Sequence, residues 1–131
     1  MAYLSKLVFS KLSDNSRAHL THKPQNTNYA PKDYTYIDTK TGTNSITIPN
    51  GAKEVFYIVY FTGATSMRWS GYLVIAALST TTTYYRHGYY PDTLANNGSA
   101  TIAATTTSIK VHAGTYGGSS NTNMTLVAYY R

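Results

Sequence analysis

The stretch Glu54-Val55-Phe56-Tyr57-Ile58-Val59-Tyr60-Phe61 decides the fold class. In an extended chain successive side chains point to opposite faces, so Val55, Tyr57, Val59 and Phe61 share one side. Phe56, Ile58 and Tyr60 share the other. Both faces are apolar, which reads as a central strand or one sandwiched between layers. Pro49-Asn50-Gly51 before it and Thr62-Gly63-Ala64 after it carry the glycines that turns favour, so the segment is bounded on both sides.

Working outward, the same alternation marks Ile109, Val111 and Ala113 against Lys110 and His112. It also sets Met124, Leu126, Ala128 and Tyr130 against Thr125, Val127 and Tyr129. Further strands are expected over Tyr34 to Thr39, Asn44 to Ile48, Met67 to Leu78, Thr82 to Arg86 and Ser99 to Ala104. No window keeps apolar residues at helical spacing for more than about two turns. The expected fold is therefore all-β, an antiparallel, jelly-roll-like β-sandwich with an extended N-terminal arm. The head domain spans residues 34–131 and the arm residues 1–33.

The arm is set apart by composition. After Leu4, Leu7, Val8 and Phe9, the stretch from Ser10 to Lys32 has few apolar residues, two prolines and many Asn, Ser, Lys and His. It reads either as a flexible terminus or as an attachment arm with those four apolar residues as its anchor. The longest near-apolar run, Tyr72 to Leu78, is far short of the roughly 20 residues a spanning helix needs, so membrane insertion is not expected. With Cys 0, disulfides and thiolate metal sites are excluded, and a small chain without such staples relies on its core or on association.

The net charge is +6, yet only 12% of residues are charged. From residue 55 onward the charged side chains are Arg68, Arg86, Asp92, Lys110 and Arg131, scattered singly, so specific nucleic-acid binding is not expected. Tyr (14 residues), Thr, Ser, Asn and Gly take the place of charge, a mixture that suits contact surfaces. The same residues are good strand formers, which explains part of the tyrosine without any binding.

Catalysis needs groups of matched pKa in mutual reach, and the supply is thin. Asp14, Asp33 and Asp38 fall in or beside the arm, Glu54 opens a strand, and Asp92 follows Pro91 in a loop, so no enzyme is expected. His19 and His22 have a helical metal-ligand spacing without a third ligand nearby, and no nucleotide motif is present, so neither a metal nor a cofactor is expected. The most suggestive constellation is Tyr84-Tyr85-Arg86-His87-Gly88-Tyr89-Tyr90-Pro91-Asp92, with Trp69, Tyr72 and Tyr116 elsewhere. Rings beside Arg and His are the ingredients of a glycan or protein contact surface. The candidate ligand-binding residues are therefore Trp69, Tyr72, Tyr85, Arg86, His87, Tyr89, Tyr90 and Tyr116, with loops around Trp69, Tyr85 to Tyr90 and Tyr116 expected to face the exterior.

The run Tyr34 to Tyr60, the Thr-rich middle leading to Tyr84 through Tyr90, and the ending Leu126-Val-Ala-Tyr-Tyr-Arg131 resemble distal head domains of tailed-bacteriophage tail fibres and receptor-binding proteins. The resemblance covers residues 34–131 and is one of style and strand layout. It implies a compact β-sandwich acting as a homotrimer on a virion made in the host cytoplasm, with a host-surface saccharide or protein as its partner. Other virion proteins would be met through the arm. A structural virion component such as a decoration, head-fibre or baseplate accessory protein is the competing expectation, and a free carbohydrate-binding module a third.

Overall fold

The computed structural model describes residues 32–89 and 98–131. The expected arm anchor (Leu4, Leu7, Val8, Phe9) and Tyr90 lie outside the described residues, as does the side chain of Tyr89. The compact β unit begins at Thr35 and runs to Arg131.

The strands are β1 (Thr35–Thr41), β2 (Ile46–Thr47), β3 (Glu54–Phe61), β4 (Ala64–Val74), β5 (Thr83–Tyr89), β6 (Gly98–Ala104), β7 (Ser108–Tyr116), β8 (Ser119–Ser120) and β9 (Met124–Tyr130), with a 3₁₀ turn at Ile75–Ala77. They form two antiparallel sheets. Sheet A has the order β1-β9-β3-β4, and sheet B the order β2-β7-β6-β5 with β8 also on β7. The fold is all-β, as the alternation predicts.

β3 is interior to sheet A, paired to β9 on one side and β4 on the other. Its Val55, Tyr57, Val59 and Phe61 join Leu73, Met124, Leu126 and Ala128 of the same sheet. Opposite them stand Ile46, Ala100, Ile102, Ala104, Ile109 and Val111 of sheet B, and the whole set forms one core. The other face of β3 is covered too: Phe56 and Ile58, with Val127 and Tyr129 of β9, are at most 8% exposed without belonging to that core. There the register lines up Tyr36, Tyr129, Phe56 and Tyr72 across all four strands. Successive ring centroids in that row are 5.8, 6.1 and 5.4 Å apart.

Several boundaries differ from expectation. Phe61 pairs directly with Ala64, so the turn tightens to Thr62-Gly63 and β4 starts earlier than Met67. β4 stops at Val74, where Ile75 N–H donates to the Lys53 carbonyl and the chain coils into the 3₁₀ turn. Gly51 sits at φ +85 after Pro49-Asn50, the left-handed geometry its turn requires. Ala113 does not share a face with Val111: Thr101 pairs with Ala113 while Ile102 pairs with Val111, so His112 is an extra residue and the alternation slips there.

β9 runs between β1 and β3, and its end is fastened. The Arg131 carbonyl accepts from the N–H groups of Lys53 (2.8 Å) and Glu54 (3.0 Å), while its guanidinium meets the Glu54 carboxylate at 3.3 Å. Truncation at Leu126, buried on this central strand, should cost about 2–5 kcal/mol through lost transfer energy and the cavity left behind. Val74→Thr, at a side chain 55% exposed, should change stability by less than about 0.5 kcal/mol. Urea midpoints of Leu126→Ala and Val74→Thr against the parent chain measure both.

Candidate functional site

β4 ends sheet A and β5 ends sheet B, and the two are joined by side chains between the sheets. Alternation along β5 sends Tyr85 and His87 inward, opposite the core residues Ile102 and Ala100 of β6. Tyr84 and Arg86 point outward. On β4, Trp69 stands opposite the buried Val59 and faces inward, while Tyr72 stands opposite Phe56 on the outer face. The cluster from Tyr84 to Tyr89 is thus a strand rather than a loop, and its members serve two different faces.

The inward members meet a residue not expected at the site. Tyr57 of β3 is 1% exposed, and its Oη lies 2.6 Å from Nε2 of His87. Burial, helped by the neighbouring Tyr85, raises the Tyr57 phenol well above the usual tyrosine value, so it stays protonated in this contact. Burial also lowers His87, which favours the neutral ring that can accept. The hydrogen bond ties sheet A to sheet B.

Space for that phenol comes from β4. A Cβ at Gly71 would lie 2.5 Å from Tyr57 Oη, so only glycine lets the ring lie against this strand. Trp69 stacks on His87 at 6.5 Å between centroids with 27° between planes. Phe61 then contacts Trp69 edge-on at 6.1 Å, and Tyr116 contacts Phe61 at 5.3 Å. A continuous run of rings, Tyr116-Phe61-Trp69-His87-Tyr57, follows. Trp69, Tyr85 and His87 are half-buried along it, and Tyr116 is 38% exposed at its end.

Of the expected site residues, the structure brings together Trp69, Tyr85, His87 and Tyr116 and separates Tyr72 and Arg86 from them. Tyr57 and Phe61 complete the run. Their alternation puts them on one of two apolar faces of β3, but no sequence signal says that a tyrosine there reaches a histidine 30 positions later.

No family model matches the chain, and neither a curated protein nor a solved structure is similar to it. Among the described residues no three His, Cys, Asp or Glu side chains gather as a metal site, and no helix is long and apolar enough to cross a membrane. Phe61 and Tyr57 are buried, so the run reaches the surface through the half-buried Trp69, Tyr85 and His87 and the exposed Tyr116, whose rings suit stacking and whose polar atoms suit hydrogen bonding.

Two measurements probe this junction. An imidazole held below its ordinary value takes up its proton later in the folded state than in the unfolded one. Stability is therefore complete above about pH 6.5 and declines as pH falls from there toward the folded value. Melting temperatures between pH 7.5 and 5 should show this decline in the parent chain and a shallower one in His87→Gln. Gly71→Ala forces the Tyr57 ring to move and should cost about 1–3 kcal/mol in denaturant titrations. The ring carbons Cζ and Cε2 collide as well, at 2.6 and 2.9 Å, so Tyr57→Leu, which removes the ring, should make the alanine cheaper than in the parent background.

Proposed function

We propose that this chain is a bacteriophage virion protein whose β unit binds a saccharide on the host surface, using the side where β4 and β5 meet. The observation that carries the binding part is the run Tyr116-Phe61-Trp69-His87, with Tyr85 beside it. Pyranose rings present one face of C–H groups that packs on aromatic rings, while their hydroxyls seek donors and acceptors such as His and Tyr. The virion part rests on the resemblance of residues 34–131 to tail-fibre heads. In this reading the chain acts as a homo-oligomer, and residues 1–33 attach it to the particle.

The partial burial of Trp69 and His87 supports a preorganised surface, because rings locked by neighbours lose little freedom when a ligand arrives. An edge between two sheets also serves binding well, since its side chains are displayed by strands rather than by loose segments.

The test is binding of the purified full-length chain to a panel of bacterial surface polysaccharides. Trp69→Ala should weaken binding by about tenfold or more, the loss typical of a central aromatic anchor. Tyr116→Ala, at a more exposed ring, should weaken it less while leaving the fold intact by circular dichroism. Binding to no member of the panel, or binding that survives both changes, would overturn the assignment. Molecular mass in solution checks the homo-oligomer, which a stable monomer at micromolar concentration would exclude.

A further inference from the structure

The outer face of sheet B carries a second feature, independent of the run of rings. Register brings together side chains that look scattered in sequence. Tyr84 of β5 and Lys110 of β7 both stand opposite Ala103 of β6. One step along, Arg86 stands opposite Thr101, whose partner on the other side is Ala113, next to the bulged His112. Tyr84, Arg86, Lys110 and His112 are exposed, while the central strand contributes only the small side chains Ala103 and Thr101 between them. The Tyr84 and His112 rings meet across this floor at 4.7 Å, and Tyr84 remains 56% exposed.

The strands of this sheet carry cations and no carboxylate. Strands β2, β5, β6, β7 and β8 contain no Asp or Glu, and the one carboxylate of the chain after Glu54 is Asp92, outside the described residues. The carboxylates of Asp38 and Glu54 belong to sheet A, where they meet Lys40 at 3.2 Å and Arg131 at 3.3 Å. Arg86 and Lys110 form no ion pair among the described residues. Two permanent cations and an imidazole therefore share one side of a sheet, with no counter-charge on its strands and no ion pair among the described residues.

We infer that the outer face of sheet B binds an anionic glycan, a chain of sugar or polyol units bearing phosphate or carboxylate groups, held by Arg86 and Lys110 against Tyr84 and His112. Strands flanking a central one are roughly 10 Å apart, so the two cations suit successive anions along a polymer better than a single ion. The intervening surface matches the uncharged part of such a chain: the Tyr84 ring for C–H faces and the Thr101 hydroxyl for sugar hydroxyls. A nucleic acid would want a longer track of cations, since its affinity comes from many neutralised phosphates. This assignment does not depend on the β4–β5 site, which lies between the sheets and reads uncharged sugar faces.

The experiment measures binding of the full-length chain to three immobilised polymers: poly(glycerol phosphate), polygalacturonate and dextran, at two salt concentrations. At least one anionic polymer is expected to bind more tightly than dextran, and more weakly as salt rises; which of the two binds tells phosphate from carboxylate. The double variant Arg86→Gln, Lys110→Gln should lose about tenfold or more of that affinity and most of its salt dependence. Arg86→Lys with Lys110 retained should keep most of it. Trp69→Ala should leave the anionic binding in place, so failure of the β4–β5 site and failure of this one are read separately. Equal binding to all three polymers, or no effect of the double variant in a chain with unchanged melting temperature, overturns the inference. Tighter binding of a single-stranded oligonucleotide than of either anionic glycan overturns it too, assigning the face to nucleic acid.

Discussion

Everything in the β unit hangs on the double enclosure of β3. Its backbone groups are paired on both edges, by β9 and β4, and its side chains are covered on both faces. A strand so placed has no solvent to fall back on for its hydrogen bonds, so register is fixed by cost: a one-residue slip would exchange two differently packed apolar faces. The order of sheet A follows, because β9 must bring Leu126 and Ala128 to the core and Val127 and Tyr129 to the outer layer at the same time. The fastening of Arg131 to Lys53 and Glu54 holds that register at one end.

The two sheets differ in how they treat their outer faces. Sheet A carries a row of rings on its outer face and two paired carboxylates, Asp38 and Glu54, on its strands. Sheet B has small side chains in its middle strand and cations beside it. A charged, hydroxyl-bearing face is poor material for edge-to-edge or face-to-face aggregation, and it leaves the sheet free to meet a hydrated partner. The chain thus divides its labour by sheet: apolar enclosure on one, polar display on the other.

How much of this could be read from the sequence depends on whether a feature is local. The alternation in 54–61 and 124–130 is local, and it identifies those strands, their faces and the class of fold. The end of β4 at Val74 was not legible, because Ile75 to Leu78 is as apolar as a strand and leaves the sheet through a backbone bond to Lys53, a partner from another part of the chain. Tyr85 to Tyr90 reads as a loop in the sequence, yet pairing with β6 keeps β5 extended to Tyr89. Once it is a strand, Tyr85 and His87 part company with Tyr84 and Arg86. The convergence of Arg86, Lys110 and His112 was hidden for the same reason: it requires the β5-β6-β7 register and a bulge, neither of which spacing along the chain reveals.

The chain has a single tryptophan, and it is the one stacked on His87 between β4 and β5. Its emission therefore carries information from one place only. Indole fluorescence is sensitive to a neighbouring imidazole and to water, so this junction comes with its own optical label: separation of the sheet edges, titration of His87 and the proposed docking of a saccharide would each register in the same signal without any dye being attached.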